Sequence, residues 1–347
     1  MGDILMSSPA LNALKETFHC RLTLLTSSMG KPITPFVPGI DEVLTTDLPW
    51  TKTGVLPSAS DCQQLISTLH NHNFDLAVIF TVYSQSPLPA AVLCFLAGIP
   101  ERLAWCRENP YHLLTKWLPD KEPYSEIIHQ VERDLQLVAS IGAGTTDDHL
   151  RITYTTAAQK RAEQKLASIG VDLSMPFIIL HPGVSEKKRE YPLPLWTATA
   201  LLIRQETPFQ LVVTGSNSDK TKADYLAAAT PNGIYSAAGL LSIEEFISVI
   251  AQSLLTISVN TATIHIAAAV DTPVVVLYAQ TNPQHTPWKV PSEVLEFSVG
   301  QSAQSQNEVI RHVAETLYNA HIPFPTPGRI LGALNNLLSY YRKITAS

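Results

Sequence analysis

Charged side chains are scarce. Asp, Glu, Lys and Arg make up 16% of the 347 residues, the formal net charge is −6, and no basic block interrupts the chain. That balance argues against nucleic acid as the main partner. Cysteine is scarce too: Cys20, Cys62, Cys94 and Cys106 all lie in the first third, far apart and with no Cys-x-x-Cys. A disulfide framework or a zinc site is therefore not expected, and reduced buried thiols of a cytoplasmic protein are the simple reading. Long apolar runs are missing as well. The longest, from Ala90 to Ile99, is about half of the ~20 residues a membrane span needs. No charged-then-apolar signal peptide opens the chain, and there is neither an evident internal repeat nor a low-complexity tract. The expectation is a soluble cytoplasmic protein.

What is present is apolar residues, 45% of the chain, over a length comfortable for two domains. The most informative stretch runs from Leu254 to Trp288. Leu254–Ser258 is a short, partly β-branched run that reads as a buried strand. Asn260-Thr261 are capping residue types, whose side-chain oxygens accept free backbone N–H bonds. Ala262–Val270 reads as a helix, Asp271-Thr272-Pro273 stops it, and Val274–Tyr278 is a second strand. This is one parallel βαβ unit, and the start of such a helix offers N–H donors and a positive dipole end to a phosphate. An ordinary βαβ unit without a ligand has the same pattern.

Elsewhere strands are expected at Arg21–Thr26, Val43–Thr45, Asp75–Phe80, Arg102–Trp105, Phe177–Leu180 and Gln210–Thr214. Helices are expected at Cys62–His70, Ser86–Leu96, Gln159–Ile169, Asn307–Ala320 and Ile330–Tyr341. Alternating strands and helices mean an α/β fold with parallel sheets. Ser8 and Pro9 suit the start of a first helix. His129 and Arg133, four apart on a helix, share one face; they would meet a phosphorylated or acidic acceptor, or form a solvated face with an Arg–Glu pair. Ser242 and Glu245 form a capping box, with Leu241 and Phe246 as its staple. Two loops follow strand ends, His181-Pro182-Gly183 and Thr214-Gly215 leading to Asp219, and such loops bind ligands in open α/β sheets. The triple cation Lys187-Lys188-Arg189 stands beside the first of them.

These motifs together resemble glycosyltransferase family 9, the ADP-heptose:lipopolysaccharide heptosyltransferases. Gly2-Asp3 and Pro9-Ala10-Leu11 are similar to the family's first loop, His129-x-Val131-Glu132 to a segment of its acceptor domain, and Tyr191-Pro192 stands for its Trp-Pro. Its Asp-Thr-Gly-Pro-x-His signature is matched by Asn260-Thr261-Ala262-Thr263-Ile264-His265, with Asn for Asp, Ala for Gly and Thr for Pro. Its Gly-x-Thr-x-Pro is matched at Thr281 and Pro283, with Ala279 for the glycine.

The resemblance implies a GT-B fold of two Rossmann-like domains facing a central cleft. Residues 1–156 would bind the acceptor, residues 172–325 the nucleotide sugar, and residues 326–347 would form a helix packing back on the N-terminal domain. The family's first strand has no counterpart before Gly2. A late recorded start is the preferred reading, and a domain that tolerates the loss the alternative. The implied reaction is inverting sugar transfer, of heptose or a related sugar, from a nucleotide diphosphate such as ADP-heptose to a lipid-linked or oligosaccharide acceptor of lipopolysaccharide type. No cofactor is implied, and no Asp-x-Asp motif is present to bind a metal. A lipid-linked acceptor would draw the enzyme to the inner face of the cytoplasmic membrane.

In this reading Asp3 is the general base, the alternatives for it being a helix-dipole partner or a disordered terminus. Lys188 or Arg189, with the N–H groups at Thr261, Ala262 and Thr263 and with Asn260 and His265 beside them, holds the diphosphate. Thr214, Gly215 and Asp219 meet the nucleotide, Asp219 through the ribose unless it is only a helix cap. His181, Pro182, Gly183, Thr281 and Pro283 line the sugar, and His129 and Arg133 the acceptor. The replacement of the signature aspartate by Asn260 leaves two other readings open: a degenerate relative that binds nucleotide sugar without transfer, and an epimerase or hydrolase of the same architecture.

Overall fold

The computed structural model describes residues 1–51, 57–230, 232–300 and 305–345. These fall into two compact units, one of Asp3–Asp148 with Ser305–Val313, the other of His149–Gln304 with Ala314–Ser347.

The first unit opens with α1 (Gly2–Phe18) and continues through β1 (Thr23–Thr26), β2 (Glu42–Thr45), α2 (Ala59–Asn71), β3 (Leu76–Ile79), α3 (Leu88–Leu96), β4 (Glu101–Cys106), β5 (Lys116–Pro119) and α4 (Gln130–Ala139). The strands pair in parallel, β1 with β2 and β3-β4-β5 in that order. Helix α1 begins a full turn and more before the expected Ser8-Pro9 start, so Asp3 stands in a helix and not in a loop. Pro9 is tolerated in the helix interior for a visible reason. Proline has no N–H to give to the carbonyl four residues back, and the Ser8 hydroxyl donates to that same Leu5 carbonyl at 2.7 Å. The buried apolar side of α1, including Leu5, Met6, Ala10 and Leu11, holds it in place. Each such side chain contributes about 1.5–3 kcal/mol when fully buried if it is Leu or Met.

The second unit runs α5 (Thr156–Ser168), β6 (Phe177–His181), α6 (Leu193–Glu206), β7 (Gln210–Val213), α7 (Lys220–Ala227), β8 (Ile234–Ser236), α8 (Ile243–Gln252), β9 (Leu255–Val259), α9 (Ala262–Ala269), β10 (Val274–Ala279) and β11 (Ser292–Phe297). Helix α10 (Glu308–Thr316), which up to Val313 falls in the first unit, and helix α11 (Pro327–Thr345) follow in the chain. Among the described residues its strands form one parallel sheet in the order β11-β10-β9-β6-β7-β8. The central strands are covered on both faces: Ile178, Ile179 and Leu180 in β6 and Val274 to Leu277 in β10 have no exposed surface. A parallel strand buried on both sides reads as a continuous apolar run, which is why these were legible in the sequence.

Two boundaries differ from expectation. Helix α5, read as leading out of the first domain, belongs with the second unit because it docks on α8. The Thr155 N–H and hydroxyl both donate to Glu244, at 3.0 and 2.7 Å, and Lys165 pairs with Glu245 at 2.7 Å. The last helix, expected on the N-terminal domain, packs within the second unit, where Ile330, Ala333, Leu334 and Leu337 join the core beneath α6 and the β11 edge. The Tyr191 hydroxyl fixes the chain just before that helix by donating to the Pro325 carbonyl at 2.5 Å.

Candidate functional site

In the second unit the chain leaves β6 toward β7 on one side and returns through β9 on the other. The carboxyl ends of β6 and β9 therefore mark a topological switch point, the place where ligands bind in open α/β sheets. The register sets His181 beside Ser258 there. Because every strand is parallel, the loops after β6, β7, β9 and β10 all emerge at the same edge of the sheet. This brings together His181, Pro182, Gly183, Thr214, Gly215, Asn260, Thr261 and Thr281, residues up to a hundred positions apart.

On the β7 side, the His181 ring nitrogen Nδ1 pairs with the Thr214 hydroxyl at 2.9 Å, and its ring lies 5.3 Å from that of Phe246. Enclosure by protein lowers the imidazole to about 4, partly opposed by the Asp219 charge, so His181 is neutral at ordinary pH. Asp219 lies close above two glycines. A Cβ at Gly183 would stand 2.8 Å from its Oδ2, and one at Gly215 2.7 Å from its Cβ. Only glycine allows the carboxylate to come this near both backbones. Oδ2 of Asp219 accepts the Ser216 N–H at 2.8 Å and the Ser216 hydroxyl at 2.6 Å, closing a capping box. The two readings of Asp219 are thus compatible: one oxygen caps, and Oδ1 takes no hydrogen bond from the described residues.

On the β9 side, Thr261 is the N-cap residue of α9 but its side chain makes no capping bond, and its hydroxyl is buried with no hydrogen-bond partner. Asn260 does not cap either. Its amide turns to the next strand, where Oδ1 accepts the Ala279 N–H at 3.2 Å and Nδ2 donates to the Ala279 carbonyl at 3.1 Å and the Thr281 hydroxyl at 3.2 Å. The asparagine that replaces the expected aspartate is therefore a brace between β9 and β10 that needs both a donor and an acceptor. The first amides of α9, at Ala262 and Thr263, start a helix and have no intrahelical acceptors. The structure also distinguishes the two candidate cations. Arg189 donates to the Asn260 carbonyl at 3.1 Å, which puts its guanidinium at the head of α9, and its Nε is buried without a partner. Lys188 pairs with Glu186 at 3.2 Å. Glu186 also holds Arg189, at 2.9 Å, so the supposed triple cation carries a carboxylate that the sequence reading overlooked.

After β10, Thr281 and Pro283 lie in a loop that Tyr278 fastens by a hydrogen bond from its hydroxyl to the Asn282 carbonyl. The loop sets His285 edge-on to His265 of α9, ring centroids 6.3 Å apart, and His265 is buried. His285 carried no sequence signal beyond its polar loop.

In the first unit Asp3 is exposed on the first turn of α1. The acceptor pair does not survive. His129 is the N-cap of α4, its Nδ1 accepting the Val131 N–H at 3.2 Å. Arg133 points into the protein and is 1% exposed. It forks onto Asp120 at 3.1 and 2.9 Å, bonds Glu122, donates to the Thr81 carbonyl at 2.9 Å and lies over the Trp105 ring. Neither the shared acceptor face nor the solvated alternative holds: a buried guanidinium satisfied by two carboxylates is a structural ion cluster, out of reach of a substrate. Helical spacing put the two residues on one face, but it could not say that α4 turns that face inward. Next to Arg133 the sequence reading missed Asp134. It is 1% exposed, accepts from Ser7 at 2.6 Å and Gln130 at 2.8 Å, and burial raises its carboxyl to about 7.

Among the described residues no group of three or more His, Cys, Asp or Glu side chains is placed to hold a metal ion, and no helix is long and apolar enough to cross a membrane. The sequence model of Glycosyltransferase family 9 (heptosyltransferase) matches residues 62–317. The lipooligosaccharide heptosyltransferase 2 of Haemophilus influenzae is 23% identical over 301 residues, 83% of either chain. The lipopolysaccharide heptosyltransferase 2 of Salmonella typhimurium is 23% identical over 351 residues, covering 98% of this chain and 96% of its own. Among solved structures, a glycosyl transferase family 9 protein of Veillonella parvula superposes with a TM-score of 0.77 at 17% identity, over 98% of this chain and 94% of its own. The ADP-heptose lps heptosyltransferase II of E. coli gives 0.70 at 19% identity, over 98% and 96%. These structures share the GT-B architecture of two Rossmann-like units. The parallel sheets, the loops gathered at one sheet edge and the match over most of the sequence lead to one conclusion: this chain belongs to glycosyltransferase family 9, and it is a glycosyltransferase.

Proposed function

We propose that this enzyme moves a sugar, heptose or a related one, from a nucleoside diphosphate donor to a lipopolysaccharide-type acceptor, with inversion and without a metal. The observation that carries this reading is the donor set at the head of α9. The Arg189 Nε–H and the Thr261 hydroxyl are buried without partners, and the first amides of the helix lack acceptors. Unpaired buried donors are costly, by about 1–3 kcal/mol each. A diphosphate would supply the acceptors, and its charge would be met by the guanidinium and the helix dipole. The same groups would stabilise the leaving diphosphate as the glycosidic bond breaks. The pattern is consistent with the ADP-heptose donor named for the E. coli structure, and the acceptor class with the names of the curated relatives.

Asp219, with one free oxygen beside the glycines of two loops, is assigned to the ribose hydroxyls. Thr214 and Gly215 shape that end, and His181, Thr281 and Pro283 the sugar end. Asp3 is assigned as general base: its solvent-facing carboxylate takes the proton of the acceptor hydroxyl as the new bond to the anomeric carbon forms. A lipid-linked acceptor would bring the enzyme to the inner face of the cytoplasmic membrane as a peripheral protein.

The test is release of nucleoside diphosphate from ADP-heptose with and without lipopolysaccharide core. Acceptor-dependent release, abolished by Asp3→Ala while nucleotide binding persists, is the expected result. Wild-type turnover in Asp3→Ala would remove the base assignment. Acceptor-independent release would point to hydrolysis, and binding without turnover to a degenerate relative that binds nucleotide sugar without transfer.

A further inference from the structure

Glu186 is not used by the reaction just described, yet it holds both candidate cations of the donor site. Its Oε1 accepts from Nη2 of Arg189 at 2.9 Å, and its Oε2 faces the Lys188 ammonium at 3.2 Å. The backbone ties it to Arg189 as well. Glu186 is the N-cap of the short 3-10 turn Lys187–Arg189, and its carbonyl accepts the Arg189 N–H at 2.9 Å. The three side chains are only 21% to 31% exposed, too enclosed for a freely solvated surface pair. With Nη1 on the Asn260 carbonyl at 3.1 Å and Nη2 on Glu186, the guanidinium is clamped, and its buried Nε–H is left without a partner. A carboxylate in this place opposes the anion that the site is read to bind. A glutamine could orient Arg189 through the same oxygen, so the charge calls for an account of its own.

We propose that Glu186 is a positioning residue for Arg189 whose charge makes the site let go of free nucleoside diphosphate more readily than of the intact donor. This rests on the reading of Arg189 and the head of α9 as the diphosphate site. In transfer the bond from the anomeric carbon to the terminal phosphate oxygen breaks, and its electron pair stays on that oxygen. The acceptor oxygen forms the new bond and its proton goes to the base. The diphosphate, esterified at both ends in the donor, is thereby left with a free terminal phosphate, which carries one more negative charge above about pH 6. A fixed carboxylate behind the guanidinium repels that product more than it repels the donor. Across about 6 Å, one unit of like charge is worth roughly three- to tenfold in affinity at the dielectric of a partly exposed site. Glu186 also keeps Lys188 occupied, so that one cation and not two meets the diphosphate.

The test is calorimetric titration of the full-length protein with ADP and, in the absence of acceptor, with ADP-heptose. Glu186→Gln keeps an oxygen for Arg189 and removes the charge. It should bind both ligands more tightly, ADP by about three- to tenfold more than ADP-heptose. The ratio of the ADP inhibition constant to the donor KM should fall by the same factor. Glu186→Asp keeps the charge and should leave that ratio near wild type. Lys188→Ala, which changes little alone, should give back part of the gain in the Glu186→Gln background. Loss of a merely structural partner of Arg189 moves affinity the other way. Unchanged or weaker ADP binding in Glu186→Gln, or an equal gain for both ligands, overturns the proposal when Arg189→Ala still weakens ADP binding. ADP binding that is indifferent to Arg189→Ala means instead that the donor-site reading has failed, and the proposal with it.

Discussion

Replacing Asn260 with aspartate restores the signature residue of the family, yet the structure says it should weaken this protein. Asn260 is 5% exposed. Its amide donates to the Ala279 carbonyl at 3.1 Å and to Thr281 at 3.2 Å, and accepts the Ala279 N–H at 3.2 Å. A carboxylate keeps the last contact and loses the two donations. The Ala279 carbonyl, on a residue with no exposed surface, then faces a negative oxygen. The Thr281 hydroxyl still donates to that carbonyl at 3.2 Å, so the cost is that of the two lost amide donations with two oxygens set against each other in a buried place, about 1–3 kcal/mol. The helix dipole of α9 returns at most about 0.3–1 kcal/mol to a charge at its start. The net expectation is a loss of about 1–2 kcal/mol, or roughly 2–8 °C in Tm for a domain of this size. Asn260→Ala, which loses all three bonds, should lose more. Protonation gives the carboxyl a donor again, so the deficit of Asn260→Asp should narrow as pH falls. Urea unfolding of the three proteins between pH 5 and 8 measures this. Stability equal to or above wild type in Asn260→Asp at pH 8 would refute the brace reading and mean that the Thr281 hydroxyl alone satisfies the Ala279 carbonyl.

Arg189→Ala should weaken binding of a nucleoside diphosphate about tenfold or more, the equivalent of one charge-assisted hydrogen bond, whereas Lys188→Ala should change it little; calorimetric titration with ADP distinguishes them. Arg133→Met should destabilise the first unit by about 3–5 kcal/mol, since it leaves Asp120 and Glu122 buried without their cation. Any surviving folded fraction should bind acceptor normally, and a selective rise in acceptor KM without loss of stability would contradict the buried cluster. Burial alone would raise the Glu245 carboxyl, but Lys165 and the Ser242 cap outweigh it and hold the group at about 2. A depressed acid stabilises the fold above its unfolded value near 4.5 and loses that contribution as pH falls toward about 2. Glu245→Gln should therefore flatten the acid limb of the stability profile in that window, as read by denaturation from pH 6 to 2.

How much of this could be read in advance depended on where each residue lies in the sheet. The central strands announced themselves because both their faces are buried, which leaves uninterrupted apolar runs such as Phe177–Leu180 and Val274–Tyr278. Three of the edge strands did not. β8 is three residues long, β5 carries Lys116 and Pro119, and β11 mixes Glu293 and Glu296 with its apolar residues. An edge strand has one side toward solvent or a loop, so its composition drifts toward that of a loop. The capping box at Ser242 and Glu245 was legible because it is local, three residues apart. At Thr261 the same local chemistry misled, because the capping residue types are present but Asn260 is drawn to Ala279, nineteen positions away.

The sequence by itself determined the alternation of strands and helices, the apolar runs that become central strands, and the loop motifs that tie the chain to its family. These depend on short-range periodicity and on backbone preferences that act within a few residues. Only the tertiary structure decided which way each polar side chain turned. It buried Arg133 on Asp120 and Glu122, brought Arg189 and not Lys188 to the head of α9, seated Asp219 over two glycines, and joined Asp134 to α1 through Ser7. Apart from the close approach of Asp219 to its glycines, each of these outcomes pairs charged or polar groups that are not neighbours in the chain. A buried polar group must find its partner wherever the fold supplies one, and that location is set by the packing of whole elements and not by the residues alongside it.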